Sequence, residues 1–235
     1  MPLVAHSSLP VFERLRQEGH EVLSLERARH QDVRELHIGL LNMMPDAAIE
    51  ATERQFLRLV GSCNRIAQFY VHPFVVDAAA RSPQTRRYLK TYYEDFEKLR
   101  AAGLDALIIT GANPAHADIT REAFWQPLTD IMDWGREHVC SVLCSCLATH
   151  ADVKQQHHVE RIRLPQKRWG VYSHRVMDPA HPLVSNINTR FDAPHSHVYE
   201  VTRTQLEAVG IRVLVESEEA GVHLAVSPDG FRMIY

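Results

Sequence analysis

The sequence predicts an α/β fold: a doubly wound, mainly parallel sheet flanked by helices, with a more β-rich C-terminal half. Between residues 36 and 155, short apolar runs that suit buried strands alternate with amphipathic helical segments. The apolar fraction of 45% is enough for a sizeable core in a chain of 235 residues. After Leu164 the pattern changes to short β-like segments separated by Pro, Asp and Asn turns.

The elements follow one another as a βαβ pattern requires. Residues 1–34 are predicted to form an N-terminal extension, and residues 35–235 a single domain. The predicted strands are 36–41, 65–74, 104–110 and 139–145, and the predicted helices are 45–61 (with Gly61 as C-cap), 88–99 and 122–136, with a polar loop at 78–84. The later β segments are 170–176, 198–202, 211–216 and 222–226. Asn42, Gly111 and Cys146 all follow strands, and open parallel sheets bind ligands at that edge.

Composition excludes several classes of function. The chain carries 26 basic and 29 acidic residues, so neither a nucleic-acid footprint nor a polybasic membrane patch is indicated. No apolar run is long enough to span a membrane, and no signal peptide is visible at the N-terminus. The four cysteines are spaced poorly for a disulfide framework, which favours reduced thiols in a cytoplasmic protein.

Metal binding is not predicted. The chain has fifteen histidines, but it contains neither a Cys-x-x-Cys pair nor a helical His-x-x-x-His pair. Cys144, Cys146 and His150 together lack an evident fourth ligand. We therefore expect no metal and no resident cofactor.

The segment from Ser141 to His150 is the strongest chemical signal. A β-forming run ends at Cys146 and a helical segment begins at once, so the thiol is expected on a sharp strand-to-helix turn. The small neighbours Cys144 and Ala148 suit such a turn. This pattern favours a nucleophile that forms an acyl-thioester, the alternative being a buried apolar cysteine.

Other residues complete a candidate site. The backbone N–H groups of Gly111, Ala112 and Leu147 could form an oxyanion hole, although Gly111-Ala112 could equally be a plain turn. Lys167 could hold a carboxylate or face solvent. Ser196 could orient a polar substrate group or cap a turn.

Several motifs occur in a characteristic order: L-L-N-M-M-P at 40–45, L-I-I-T-G-A at 107–112, the cysteine turn, P-Q-K-R-W-G-V-Y-S-H-R-V at 165–176, D-P-A-H-P-L at 178–183, A-P-H-S at 193–196 and E-S-E-E-A-G-V at 216–222. From about residue 35 to the end, the chain resembles the homoserine O-succinyltransferase/O-acetyltransferase family of methionine biosynthesis. That family has a class I glutamine-amidotransferase-like fold.

The resemblance implies roles for individual residues. Cys146 matches the nucleophile that takes an acyl group from acyl-CoA, and Lys167 and Ser196 match positions that contact the amino-acid substrate. Ala115 lies where glutamate accompanies acetyl-CoA and glycine accompanies succinyl-CoA. Because alanine neither crowds nor repels a succinyl carboxylate, succinyl-CoA is favoured as co-substrate. Family members are often homodimers, which we also expect here.

The chain departs from the family pattern at four places. Leu147-Ala148-Thr149-His150 replaces a Trp-Gly-containing sequence, His197 replaces an arginine, and Asp46-Ala47-Ala48 replaces a lysine pair. These differences leave serine open as the acceptor. The family's Gly-His-Pro-Glu segment, which supplies the catalytic histidine, has no counterpart before Tyr235, and we expect it in a C-terminal part missing from this sequence. Otherwise the base would be His150, His174, His195 or His197.

The sequence thus predicts an enzyme that transfers a succinyl group from succinyl-CoA to the hydroxyl of homoserine. The alternatives are acetyl-CoA or serine as substrate, a hydrolase of the same fold, and a catalytically silent binding protein.

Overall fold

The computed structural model describes residues 3–63, 66–76 and 81–235. Residue 65 of the predicted second strand and residues 78–80 of the predicted loop lie outside this part. The chain divides into two compact units, Met1–Val142 and Leu143–Tyr235. One strand, Ser141–Cys144, crosses the boundary between them.

The first unit is an alternating α/β arrangement. Its elements in chain order are β1 (Val4–Ala5), α1 (Pro10–Gln17), β2 (Leu23–Ser24), α2 (Leu25–Arg29), β3 (Arg34–Leu41), a 3-10 turn (Asp46–Ala48), α3 (Ile49–Ser62), β4 (Ala67–Phe74), α4 (Pro83–Tyr92), α5 (Phe96–Ala102), β5 (Ala106–Ile109), a second 3-10 turn (Ile119–Arg121), α6 (Trp125–His138) and β6 (Ser141–Cys144). The strands β3 and β4 pair in parallel over eight residues, and β5 pairs in parallel with the other edge of β3.

Apolar runs explain the three parallel strands β3, β4 and β5. All eight residues of β4 are buried, as expected for a parallel strand covered on both faces. Gly39 in β3 lies close to Leu104, Leu107 and Phe74, so a side chain at this position would clash. The helices on either side bury the apolar face that the sequence predicts, including Leu57 in α3 and Leu128 in α6.

Two helix predictions were wrong in detail. The helix predicted at 88–99 is two helices, since α4 begins earlier and ends at Tyr92. The Glu94 N–H donates to the carbonyl of Pro73 at 2.8 Å, and Asp95 then caps α5 by accepting from the Lys98 N–H. Gly61 is not a C-cap, because it lies inside α3, which continues to Ser62.

The second unit is dominated by antiparallel strands. Its elements are α7 (Leu147–His157), β7 (Ile162–Val176), β8 (Arg190–Glu200), α8 (Arg203–Ala208), β9 (Arg212–Ser217), β10 (Gly221–Val226) and β11 (Met233–Ile234). The strands lie in the order β11-β10-β9-β7-β8. The long β7–β8 pair forms the outer edge, and β9 pairs with both β7 and β10. The predicted β-rich C-terminal half is confirmed.

Among the described residues, no helix is both long and apolar enough to cross a membrane.

Candidate active site

Cys146 lies on a sharp turn between strand and helix. β6 ends at Cys144 and α7 begins at Leu147, so Cys146 is the N-cap residue of that helix. Its backbone has φ 56° and ψ −112°, a left-handed conformation that costs a non-glycine residue roughly 1–3 kcal/mol. A strained backbone that presents an exposed thiol at the start of a helix is the geometry of a nucleophile elbow.

The Cys146 thiol is held in its protonated form. It reaches solvent, but neighbouring atoms enclose much of the side chain, and this desolvation raises its pKa. A hydrogen bond from the Leu147 N–H and the positive charge of Arg161 act in the opposite direction without reversing the shift. The thiol therefore needs a general base to become the attacking thiolate.

His150 lies on the first turn of the same helix. Burial lowers its pKa to about 4, and the positive charges of Arg161 and His197 act in the same direction. Its Nδ1 atom is buried and has no hydrogen-bond partner among the described residues. The ring is therefore neutral at pH 7, but an imidazole with so low a pKa is a weak base for a thiol whose own pKa is raised.

The loop after β5 holds the first-unit part of the predicted site. Gly111 is buried, and its carbonyl accepts from the Thr110 hydroxyl at 3.0 Å. Thr110 Oγ1 also accepts from the Met43 N–H at 2.8 Å, which joins the ends of β3 and β5. Ala112 lines a cavity of about 550 Å³ whose wall includes Met43 and Phe124.

The cavity has charged as well as apolar walls. Arg81 lines it and donates to the Met44 carbonyl at 2.6 Å and to Asp46 at 3.2 Å. Hydrogen bonds to Asp46, above all from the Ser82 backbone N–H, lower the pKa of this carboxyl to about 2. Ala115 lies in the same loop, three residues after Ala112, and is exposed.

Lys167 and Ser196 lie on one face of the β7–β8 pair. The Lys167 ammonium lies 4.5 Å from the centre of the Trp169 ring, and Trp169 is directly opposite Ser196 in the ladder. Trp169 is 71% exposed. Because side chains alternate along a strand, His195 and His197 belong to the opposite face. An exposed lysine and hydroxyl beside an aromatic ring can hold a small polar ligand.

The structure groups the predicted residues by unit. Gly111, Ala112 and Ala115 share one loop of the first unit, whereas Cys146 and Leu147 belong to the second. Their combination into one oxyanion hole therefore stays a prediction.

Arg161 is a charge near Cys146 that the sequence analysis did not identify. Its guanidinium lies 3.9 Å from the centre of the Tyr199 ring. Its position in the sequence could have indicated it, because Arg161 lies between α7, which begins at the cysteine turn, and β7.

Two groups of side chains in the described part of the chain could hold a metal ion. One consists of His174, His195 and His223, and the other of His6, His72 and Glu94. Each group lies within a single unit, and each combines residues that are distant in sequence. Neither follows a ligand spacing that can be recognised along the chain.

Comparison with known proteins identifies close relatives. A family model described as homoserine O-succinyltransferase matches residues 2–235. The chain is 62% identical over 235 residues to a homoserine O-succinyltransferase from Methylococcus capsulatus and 61% identical to one from Thiobacillus denitrificans. It is covered completely in both alignments, but it spans only 66% and 67% of those relatives' lengths.

Comparison with solved structures supports the fold. A Thermoplasma acidophilum protein described as part of a GMP synthase matches with a TM-score of 0.55 and 14% identity, covering 87% of this chain and 83% of its own. The predicted fold class, a mixed α/β arrangement of the class I glutamine-amidotransferase type, is confirmed.

Proposed function

Because the chain belongs to the homoserine O-succinyltransferase family, we propose that it transfers a succinyl group from succinyl-CoA to homoserine through a thioester on Cys146. The observation that carries the proposal is the position of Cys146, an exposed thiol on left-handed backbone at the start of α7. The strained backbone at Cys146 costs stability, but it exposes the thiol to a substrate, which is what a nucleophile requires.

The proposed reaction has two balanced steps. In the first, the Cys146 thiolate attacks the thioester carbonyl of succinyl-CoA, the bond to the CoA sulfur breaks, and CoA leaves as a thiol after accepting a proton. In the second, the homoserine hydroxyl loses its proton and attacks the succinyl-Cys146 carbonyl, and the cysteine sulfur leaves. Both tetrahedral intermediates carry an oxyanion, for which we propose the N–H groups of Gly111, Ala112 and Leu147 as donors.

Lys167 and Ser196 are the proposed contacts of the amino-acid acceptor. The ammonium suits the acceptor's carboxylate, and the hydroxyl can donate to or accept from its polar groups. They share the exposed face of β7–β8, whereas His197, which lies near His150, belongs to the other face. On the donor side, Ala115 leaves room for the succinyl chain, and the cavity beside Ala112 supplies apolar walls for the acyl-CoA.

The general base is proposed to be the histidine of a Gly-His-Pro-Glu segment, a segment that does not occur within these 235 residues. Among the internal candidates, His150 is disfavoured by its pKa of about 4. A base of this kind contributes roughly 10²–10⁴-fold to the rate. We also propose that the protein acts in the cytoplasm as a homodimer, for which light scattering of the purified protein is the test of oligomeric state.

The test is acyl transfer followed by intact-mass spectrometry. Incubating the full-length protein with succinyl-CoA should add about 100 Da, the mass of one succinyl group, to the protein as a thioester. Homoserine should then remove the adduct and yield O-succinylhomoserine. Cys146→Ala should abolish both the adduct and turnover, whereas Cys140→Ala, which removes another exposed thiol, should leave them intact.

Other outcomes discriminate among the alternatives. A faster reaction with acetyl-CoA or with serine would replace the proposed substrates. Loss of the adduct to water at the same rate with and without homoserine would indicate a hydrolase. An unmodified full-length protein would contradict the acyl-cysteine mechanism.

A further inference from the structure

Three histidines from different strands meet in the second unit. His174 lies on β7, His195 on β8 and His223 on β10, and one ring nitrogen of each lies within 4.8 Å of the others. The three side chains differ in exposure: His174 is buried, His195 is half-buried and His223 is exposed. It therefore has a fixed inner ligand and an outer side open to solvent.

His174 is oriented as a ligand. Its Nδ1 atom lies 2.8 Å from the Tyr172 carbonyl, which can only accept, so Nδ1 carries the proton and donates. The neutral ring is then left with a lone pair on Nε2. Metal-binding histidines commonly donate their second N–H to a carbonyl in this way, which fixes both the tautomer and the ring orientation.

His195 faces His174 at ligand distance. The two Nε2 atoms are 2.9 Å apart. Two bonds of about 2.1 Å from one zinc ion, meeting at roughly 90–110°, separate their nitrogens by about 3.0–3.4 Å, so the two rings would move apart only slightly to share an ion. The Tyr172 ring stands edge-on to His195 with a centroid distance of 5.8 Å, so the residue that orients His174 also contacts its partner.

A β-bulge directs His223 to the same place. Val222 pairs with Glu216 and Leu224 pairs with Val215, so His223 is the extra residue in β10 without a partner in β9. Bulges of this kind re-aim a side chain at the cost of local pairing. The His223 ring lies 4.7 Å from that of His174. The bulge is an observation independent of the clustering, and it points to a function for this side chain.

Two oppositely charged side chains lie beside the cluster. Arg168 is a positive charge close enough to act on His195, and its guanidinium donates to Glu200 at 2.6 Å.

The other candidate group lies in the first unit and includes a carboxylate. In the group of His6, His72 and Glu94, the two ring nitrogens of His72 contact Glu94 at 2.7 Å and His37 at 2.9 Å. An ion would replace one of these contacts, just as an ion bound by His174 and His195 would replace the contact between their Nε2 atoms.

We propose that His174, His195 and His223 bind one divalent transition-metal ion of the Zn²⁺ type, with water completing its coordination. The proposal does not depend on the proposed acyl-transfer chemistry. Imidazole ligands suit Zn²⁺, Cu²⁺ and Ni²⁺, and three protein ligands leave a position open.

The test is metal titration of the full-length, chelator-treated protein under reducing conditions. Calorimetry with ZnCl₂ should show one equivalent bound. CoCl₂ should give visible d–d absorption without the thiolate charge-transfer band that cysteine ligation produces. Loss of an outer partner of a metal ligand already costs about 10–100-fold in affinity, so His223→Gln should weaken Zn²⁺ binding by about 100-fold or more. The exposed position of His223 means that this variant should fold.

Two further variants fix the location. His195→Gln should weaken binding as His223→Gln does, and His6→Gln, which alters the other candidate group, should leave it unchanged. Absence of stoichiometric binding, unchanged affinity in His223→Gln and His195→Gln, loss of binding in His6→Gln, or a thiolate band with cobalt would each overturn the proposal.

Discussion

Burial favours the protonated form of Glu53 in the first unit and of Cys146 in the second, yet the surroundings of the two groups differ. The Glu53 carboxyl is fully buried and accepts from Tyr93 at 2.7 Å and from Tyr88 at 2.8 Å, and Asn42 donates to the Tyr93 hydroxyl. Cys146 has one backbone N–H as its partner and lies on left-handed backbone. Both pKa values are raised by desolvation.

The difference shows how structural and reactive groups can be told apart. A polar group whose bonds are satisfied by neighbours in relaxed conformations stabilises the fold. A group left with few partners on strained backbone costs stability and is available for chemistry. A raised pKa alone does not separate the two cases.

The largest expected effect on stability comes from opening the Glu53 network. Tyr93→Phe removes one hydrogen bond from the buried carboxyl and should lower the free energy of unfolding by about 1–3 kcal/mol. Urea unfolding followed by circular dichroism measures the change. Tyr92→Phe is the matched control, because its hydroxyl makes no hydrogen bond to another described residue. Equal effects of the two variants would show that the network does not stabilise the fold.

Relieving the backbone strain at Cys146 should raise the stability of the protein, whereas Tyr93→Phe should lower it. Cys146→Gly should be more stable than Cys146→Ala by about 1 kcal/mol, since glycine adopts φ 56° without strain but is more flexible when unfolded. Both variants lack the thiol, so their difference isolates the backbone. Thermal unfolding of the pair measures it, and a less stable glycine variant would argue against strain at this residue.

The smallest expected effect on stability comes from replacing Glu94. Its pKa is lowered, whereas the pKa of Glu53 is raised. Burial raises the pKa of Glu94, but hydrogen bonds and charges from His6 and His72 outweigh it and lower the pKa to about 2. A lowered carboxyl pKa stabilises the fold above the unfolded pKa of about 4.5, and that contribution is lost as the pH falls towards 2.

Glu94→Gln should therefore cost less than about 1 kcal/mol at pH 7, because the carboxyl is partly exposed, and its cost should vanish in acid. Unfolding at several pH values follows the trend, with the exposed Glu97→Gln as control. The raised pKa of Glu53 has the opposite consequence for stability. Its contribution to the free energy of unfolding is complete below the unfolded pKa and declines as the pH rises. A pH-independent cost of Glu94→Gln would contradict the assigned charge.

Local patterns predicted much of the fold. The apolar runs located β3, β4, β5 and β6, and the amphipathic pattern located α3 and α6. The division between α4 and α5 was missed because its cause is a contact distant in sequence, the Glu94 N–H on the Pro73 carbonyl. Likewise, the β-like segments of the second unit were recognised, but not the length of β7, since its first half (residues 162–169) mixes charged and polar residues with Pro165 and lacks a continuous apolar alternation.

For the candidate site, the sequence by itself determined that Cys146 stands between a strand and a helix, because small residues and a change of periodicity are local signals. It also supplied the family motifs that include Lys167 and Ser196. Only the tertiary structure decided the positive φ of Cys146, the proximity of Arg161, and the meeting of His174, His195 and His223. Strand pairing and a bulge bring those histidines together across large sequence separations, and no spacing along the chain encodes that approach.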